Sequence, residues 1–369
     1  MRVLQISNGY MEKGLYRNLF SHLSSFEISS DVFVPVKYGY SKSSTECNVK
    51  VIECFNSFDR FSFFSKQKKT INAIKKNYNL SIYNLIHAHT LFSTGYSAYK
   101  INLETGIDYL VAVRNTDVNL FFERFPWFRK IGVRIMKNSK FIIFLSEGYK
   151  NKVISDYVPK QFQDEFIKKS VVIPNGIDDF YIANTFKEKH MLHDPLKIIH
   201  VGDIDKNKNV TSTLSAIDIL KDEGINVEYI LIGDIKDNEV GNNVKSKAYT
   251  KCLGRKNQSE IITYLRDSDI MVMPSHHETF GIVYGEAISQ GVPVIYTKDQ
   301  GFDGQFKNGT VGFAVNDKDP GNIAESIKNI IANYETLSSN CINNSIKFDW
   351  NLIAMKYLEL YRECLEKEN

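Results

Sequence analysis

The sequence predicts an α/β protein built from two parallel-sheet domains, and three observations carry that expectation. Short apolar runs alternate with amphipathic stretches along the whole chain, the pattern of buried parallel strands joined by crossover helices. At 369 residues the chain is too long for one hydrophobic core and fits two of ordinary size. Residues 269–297, DIMVMPSHHETFGIVYGEAISQGVPVIYT, form a complete strand–loop–helix–strand unit. Its buried strands are 270–273 and 293–296, and its helix is 281–290, ended by Gly291.

Composition is that of a globular protein, 43% hydrophobic and 24% charged with a net charge of +3, which excludes disordered and repetitive classes. No apolar run approaches the ~18 residues that span a bilayer. Met1-Arg2 leads straight into an apolar strand with no signal-peptide pattern. Cys47, Cys54, Cys252, Cys341 and Cys364 are scattered without a C-x-x-C, against a disulfide framework or zinc site. A cytoplasmic location is expected.

In the first half, strand 3–6, helix 14–25 and strand 31–36 make an opening βαβ. The loop 8–14 lies at the carboxyl end of the first strand, where open α/β sheets bind ligands. Strand 49–53 precedes an aromatic and basic segment, 55–78. Strand 83–87 runs into His87-Ala88-His89, a pair with no carboxylate or cysteine at ligand spacing, so no metal site is expected. Strand 109–113 ends in Arg114-Asn115-Thr116-Asp117, and Arg114 offers a fixed charge and a planar fork suited to phosphate or carboxylate. Strand 141–145, a helix from Ser146 to about Tyr157, and strand 171–173 follow. Pro174-Asn175-Gly176-Ile177-Asp178 closes this half with a turn, and the polar stretch 184–195 reads as a linker. The domains are therefore 1–183 and 184–349, with helix 350–369 returning to the first.

In the second half, strand 197–201 is followed by the loop from Gly202 to Asn209 and a helix with apolar positions at Val210, Leu214, Ile217 and Leu220. A loop entering a helix N-terminus is a phosphate site on geometry alone, and Lys208 lies in it. Strands 227–232 and 251–254 bring Asp234 and Arg255 to the same edge, before an amphipathic helix, 258–266. In the 269–297 unit, Glu278 precedes the helix and Glu286 lies on it. Thr279-Phe280-Gly281 between them places free N–H groups where the helix opens, suited to an anion, and the carboxylates can accept from sugar hydroxyls. Beyond the loop 297–305 come strand 311–315, a helix started by Asp319-Pro320, and a last helix, 350–365.

The run PSHHETFGIVYGEAISQGVPVI resembles the donor-site signature of the retaining glycosyltransferases of family 4, in which two glutamates enclose seven residues. The resemblance implies that Glu278 contacts the donor sugar and Glu286 the ribose hydroxyls, beside Thr279, Phe280 and Gly281. It implies a GT-B fold, two Rossmann-like domains facing a cleft, and it extends to the PNGID run at 174–178. By position it brings Gly14 and Gly202 to the donor, Lys208 to the diphosphate, and His89 to the reacting groups. Two residues depart from the pattern. Asp203 stands where the family has a diphosphate-binding arginine, with Lys206 and Arg255 as candidates for the lost charge. Arg114 replaces a histidine while Asp117 is kept, and this pair is expected at an acceptor or donor phosphate.

The catalytic set so implied is Glu278, Lys208 and His89. The donor is a nucleotide-sugar, with a UDP-sugar expected, and no metal or other cofactor is implied. Retention without a nucleophilic carboxylate implies front-face attack, the leaving phosphate oxygen taking the acceptor proton. A GT-B nucleotide-sugar epimerase and a catalytically silent partner subunit are the rival readings.

Segments 55–78 and 120–140 each interleave phenylalanines with cations. The first has Phe55, Phe58, Phe61, Phe63 and Phe64 beside Arg60, Lys66, Lys68 and Lys69. The second has Phe121, Phe122, Phe125, Trp127 and Phe128 beside Arg129, Lys130, Arg134 and Lys137. Rings entering the headgroup boundary while cations meet anionic lipid predict peripheral attachment to the inner membrane face. A glycan acceptor, lipid-linked, is expected with it. Nucleic acid is not, since no recognition motif accompanies the charge.

Overall fold

The computed structural model describes the chain except Glu12, Lys13, Glu27, Thr45, Cys47, residues 187–190 and 367–369, and the side chains of Arg60 and Phe61. Parts of the 8–14 loop, the 184–195 linker and the end of 350–369, with Cys47 and the Arg60 and Phe61 side chains, thus lie outside the described residues.

The chain divides into two units. One comprises Met1–Leu145, Tyr149–Pro174 and the chain from Trp350; the other comprises Ser146–Gly148 and Asn175–Asp349. Among the described residues the first holds seven strands: β1 (Arg2–Ile6), β2 (Ser29–Lys37), β3 (Val49–Phe55), β4 (Leu85–Ala88), β5 (Asp108–Ala112), β6 (Ile142–Phe144) and β7 (Ser170–Val172). They lie in the order β3-β2-β1-β4-β5-β6-β7, all parallel. The second holds six: β8 (Leu196–Val201), β9 (Val227–Ile232), β10 (Thr250–Cys252), β11 (Ile270–Val272), β12 (Val294–Thr297) and β13 (Gly312–Val315), ordered β10-β9-β8-β11-β12-β13 and again parallel. Two parallel-sheet α/β domains are what the apolar runs predict.

Side-chain alternation sorts the first sheet into two cores. Leu4, Ile6, Ile86, Ala88 and Val111 face one; Val3, Leu85, Leu110 and Ala112 face the other. The second core is closed by the helix Trp350–Leu365, which packs on Gly14–Ser24 and buries Trp350, Ile353, Tyr357, Leu360 and Tyr361 against Leu19, Phe20 and Leu23. Each such side chain contributes about 1.5–3 kcal/mol on burial, so this helix is part of the first unit's core.

The 55–78 segment contains a helix, Phe63–Asn77, which periodicity does not reveal. Its buried stripe is Gln67, Thr70, Ile71 and Ile74, half of it polar, and Lys68, Lys75 and Lys76 are exposed on the solvent side. Among the described residues no helix is long and apolar enough to cross a membrane, and no three or more His, Cys, Asp or Glu side chains are grouped as a metal ion would need.

Candidate functional site

The second unit's strand ends are fastened together by short loops. β8 runs into Gly202 and β9 into Gly233, and these pass so closely that a Cβ on Gly233 would lie 1.9 Å from the Gly202 carbonyl oxygen. The loop after β8 then clamps the loop after β11: Asn207 accepts from the His277 N–H at 3.1 Å and donates to the His277 carbonyl at 3.0 Å, and the His276 N–H donates to the Asn207 carbonyl at 2.8 Å. The clamp sets Lys208 against Glu278. Lys208 Nζ donates to Glu278 Oε2 at 2.6 Å, with side chains 22% and 13% exposed. Glu278 Oε1 accepts from the Thr279 N–H at 3.0 Å, and the Glu278 N–H donates to Gln300 Oε1 at 3.0 Å.

The helix Ile282–Ser289 begins at Gly281, whose left-handed backbone (φ 70°, ψ 65°) turns the chain from loop to helix. A Cβ there would meet the Tyr284 ring at 2.3 Å, so glycine is required by both conformation and space. Phe280 does not present its ring to a ligand. It is buried against Phe302 and Phe348, leaving only backbone to serve a donor. One helical turn further on, Glu286 is part-buried; desolvation first, and Asp178 second, push its carboxyl up to about 7.

Arg255 and Asp203 are joined rather than opposed. Arg255 Nε donates to Asp234 Oδ2 at 2.8 Å, and its Nη2 lies 3.4 Å from Asp203 Oδ1. Lys206 pairs with Glu239 at 2.9 Å. Both candidates for the missing arginine's charge therefore carry acidic partners. Sequence reasoning overlooked His200. It is wholly buried at the end of β8, and burial first, then Lys208's charge, push it down to about 4. The one available signal was a polar residue inside an apolar strand.

The first unit treats its candidates differently. His89 is wholly buried, with Nε2 donating to Gln5 Oε1 at 2.9 Å and the rings of Tyr16 and Phe20 edge-on at 5.1 and 5.2 Å. His87, its ring 3.9 Å away, is hydrogen-bonded through Nδ1 to the Tyr361 hydroxyl at 2.7 Å, and Gln5 Nε2 donates to the same hydroxyl at 3.2 Å. Burial pushes both histidines well below their usual range, so they are neutral. Asp117 is buried too. Its carboxylate accepts from the N–H groups of Leu91, Phe92 and Arg114 at 2.9–3.0 Å, while burial pushes it up to about 6. Arg114 is half-buried, Nε donating to the His89 carbonyl at 3.3 Å. Gly14 is exposed at the first position of its helix. Lys208, Glu278, Thr279 and Gly281 are thus brought together, with Glu286 on the adjoining helix. His89, Arg114 and Asp117 form a second, largely interior group.

Residues 182–348 match the family model described as glycosyl transferases group 1. An uncharacterized glycosyltransferase of Methanocaldococcus jannaschii is 26% identical over 76% of this chain and 75% of its own length. The capsular polysaccharide biosynthesis glycosyltransferase CapM of Staphylococcus aureus is 30% identical over 56% of each chain. The alpha-monoglucosyldiacylglycerol synthase of Acholeplasma laidlawii is 24% identical over 78% and 77%. Among solved structures, sucrose-phosphate synthase from Thermosynechococcus elongatus superposes with TM-score 0.75 at 18% identity over 98% of both chains. Anabaena HepE in complex with UDP superposes with TM-score 0.72 at 17% identity over 98% of this chain and 100% of that one. The fold is GT-B, and the chain is a glycosyltransferase.

Proposed function

We propose that this glycosyltransferase moves a sugar from a nucleotide diphosphate, with UDP the expected nucleotide, to a glycan acceptor with retention of configuration. The observation that carries the reading is the Lys208–Glu278 pair seated beside a helix opened at Gly281, with Glu286 on that helix. An arriving diphosphate would draw the Lys208 ammonium from Glu278, freeing that carboxylate to accept from the donor sugar's hydroxyls. Backbone N–H groups at the helix opening add fixed dipoles to the same charge. As the bond from the anomeric carbon to the β-phosphate oxygen breaks, charge grows on the phosphate where Lys208 stands. The acceptor oxygen bonds to the same face of that carbon, and its proton passes to the leaving phosphate oxygen. Glu286, ionised, would accept from the ribose hydroxyls. UDP bound to HepE supports the nucleotide. A thermal-shift panel of UDP-, GDP- and other sugar nucleotides tests the reading: one class should raise Tm in the wild type and fail to in Lys208→Ala. If no sugar nucleotide binds, the reading fails. An isomerised donor formed without acceptor would favour the epimerase.

The acceptor side is proposed to work at a membrane. Phe63 and Phe128 meet at 4.8 Å, joining the two aromatic and basic segments into one corner of the first unit. Most of their rings are packed there, but Phe58, Phe64 and Trp127 stand 81%, 56% and 65% exposed. Beside them Arg129, Lys130, Arg134 and Lys137 line a groove of ≈ 380 Å³ with Tyr157 and Phe162. The likeness to the diacylglycerol synthase and to CapM supports a lipid-linked acceptor in surface glycan synthesis. Flotation with anionic vesicles at low salt should carry the protein, and Trp127→Ala with Lys130→Glu and Arg134→Glu should release it. Equal flotation of both would remove the membrane from the account.

A further inference from the structure

The first unit has a cavity of ≈ 320 Å³ at the carboxyl ends of β1, β2 and β3, the edge at which open parallel sheets take ligands. Its walls include Asn8 after β1, Lys37 at the end of β2, Phe55 at the end of β3, Lys66 and Thr70 from the helix Phe63–Asn77, and Ser93 after β4. Among the described residues that line it none is acidic, and two are lysines. We propose that this pocket holds the acceptor and selects an acidic one, a sugar bearing a phosphate ester or a carboxylate, through Lys66 with Lys37 beside it. The proposal rests on the glycosyl-transfer reading above and adds the acceptor's chemical class.

Lys66 is built for this rather than left over on a surface. Its ammonium lies 4.3 Å from the centre of the Phe55 ring, in a half-buried position, and it has no hydrogen bond or ion pair from its side chain among the described residues. The nearby Asp59 is committed elsewhere, accepting from Lys69 Nζ at 2.7 Å and Ser65 Oγ at 3.0 Å. Burial accordingly pushes the Lys66 ammonium below its ordinary range. An anion entering the pocket would meet a half-buried cation whose side chain has no hydrogen-bonded counter-ion among the described residues, where a charge-assisted hydrogen bond is strong. Asn8 and Ser93 offer polar contacts for hydroxyls. The wall carrying Lys66 is fixed: buried Gln67 donates to the Ser93 carbonyl at 3.1 Å and accepts from Ser97 Oγ at 2.8 Å.

The test is titration of the full chain with glucose 6-phosphate, glucuronic acid, glucose and inorganic phosphate by calorimetry, with UDP in parallel. Either or both acidic sugars should bind at least tenfold more tightly than glucose and than inorganic phosphate, and which of them does so identifies phosphate or carboxylate as the group recognised. Lys66→Gln should weaken that binding tenfold or more, Lys66→Arg should retain most of it, and UDP affinity should be the same in all three proteins. Acidic sugars that bind no better than glucose, or not at all, overturn the proposal, as does binding unchanged in Lys66→Gln. Inorganic phosphate binding as tightly as the sugar phosphate also overturns it, leaving a bare anion site. Failure here with UDP still bound leaves the donor reading standing; loss of UDP binding with acidic sugars still bound removes the donor reading and spares the pocket.

Discussion

The two sheets present polar residues at the same place, the carboxyl ends of their parallel strands, and put them to opposite use. In the second unit Lys208 and Glu278 stand part-exposed in loops held by Asn207, with Glu286 on the next helix. In the first, Gln5, His87, His89 and Asp117 are buried and bonded to one another, to backbone, or to Tyr361. A polar side chain at a strand end is available for chemistry only where no later element covers it. The first unit has such an element in its last helix. The contrast predicts that substitutions at Lys208 and Glu278 act on turnover, and those at the buried His87, His89 and Asp117 on folding.

The largest effect is expected in the second unit. Lys208→Ala and Glu278→Gln should each lower transfer by about 10²–10³-fold, the usual cost of one pre-aimed group facing developing charge, with Tm little changed. Turnover measured beside thermal melts decides it; a large fall in Tm with turnover intact would make this pair a structural bridge. His89→Ala should invert the pattern, costing about 2–4 kcal/mol of stability for a buried ring and its hydrogen bond. Transfer per folded molecule should then fall less than about threefold. A denaturant curve and an assay on the folded fraction test this, and abolished turnover in a stable variant would return His89 to the chemistry.

Glu286 offers a pH test on the second unit alone. With its carboxyl near 7, only about a tenth is ionised at pH 6 and nine-tenths at pH 8. Donor affinity should therefore rise several-fold across that window and be flat and weak in Glu286→Gln. Stability runs the other way. Below pH 4.5 both folded and unfolded chains hold this proton; from there to about 7 only the folded chain keeps it, so stability falls over that interval and the glutamine variant escapes the loss. A pH-independent donor affinity would detach Glu286 from the ribose. The smallest effect is at Arg114: lysine cannot reproduce the Nε bond to the His89 carbonyl, and a loss of about threefold to tenfold in acceptor KM is expected. No change would leave Arg114 outside acceptor binding.

The apolar runs foretell the strands because parallel strands advertise themselves within a few neighbouring residues, and none of the thirteen among the described residues needs information from afar. Lys208, Glu278 and Glu286 are legible for the same local reason: glycine, charge and helix start lie in one stretch. The environment of His89 is not. It lies under Tyr16 and Phe20 and beside His87, whose hydroxyl partner, Tyr361, lies 274 positions away, and no local pattern distinguishes a ligand-facing histidine from one buried by such tertiary contacts. Phe280 shows the same limit at shorter range, its place in the motif silent about a ring turned onto Phe302 and Phe348. The helix Phe63–Asn77 is concealed because Gln67 and Thr70 occupy its buried stripe, Gln67 being satisfied by Ser93 and Ser97.

The return of Trp350–Leu365 to the first unit also sets an order of events during synthesis. The strands of that sheet are complete once Val172 is made, yet the core on one face still lacks Trp350, Ile353, Tyr357 and Tyr361. Throughout the intervening stretch, Leu19, Phe20 and Leu23 have no permanent cover, and the Gln5 and His87 side chains lack their hydroxyl partner. The second unit, spanning Asn175–Asp349 with three residues from upstream, can close first. A nascent chain of this protein thus carries a finished second unit and a first unit with one open apolar face. Chaperone holding or premature aggregation would act on that open face, and a truncation after Asp349 would make the state permanent.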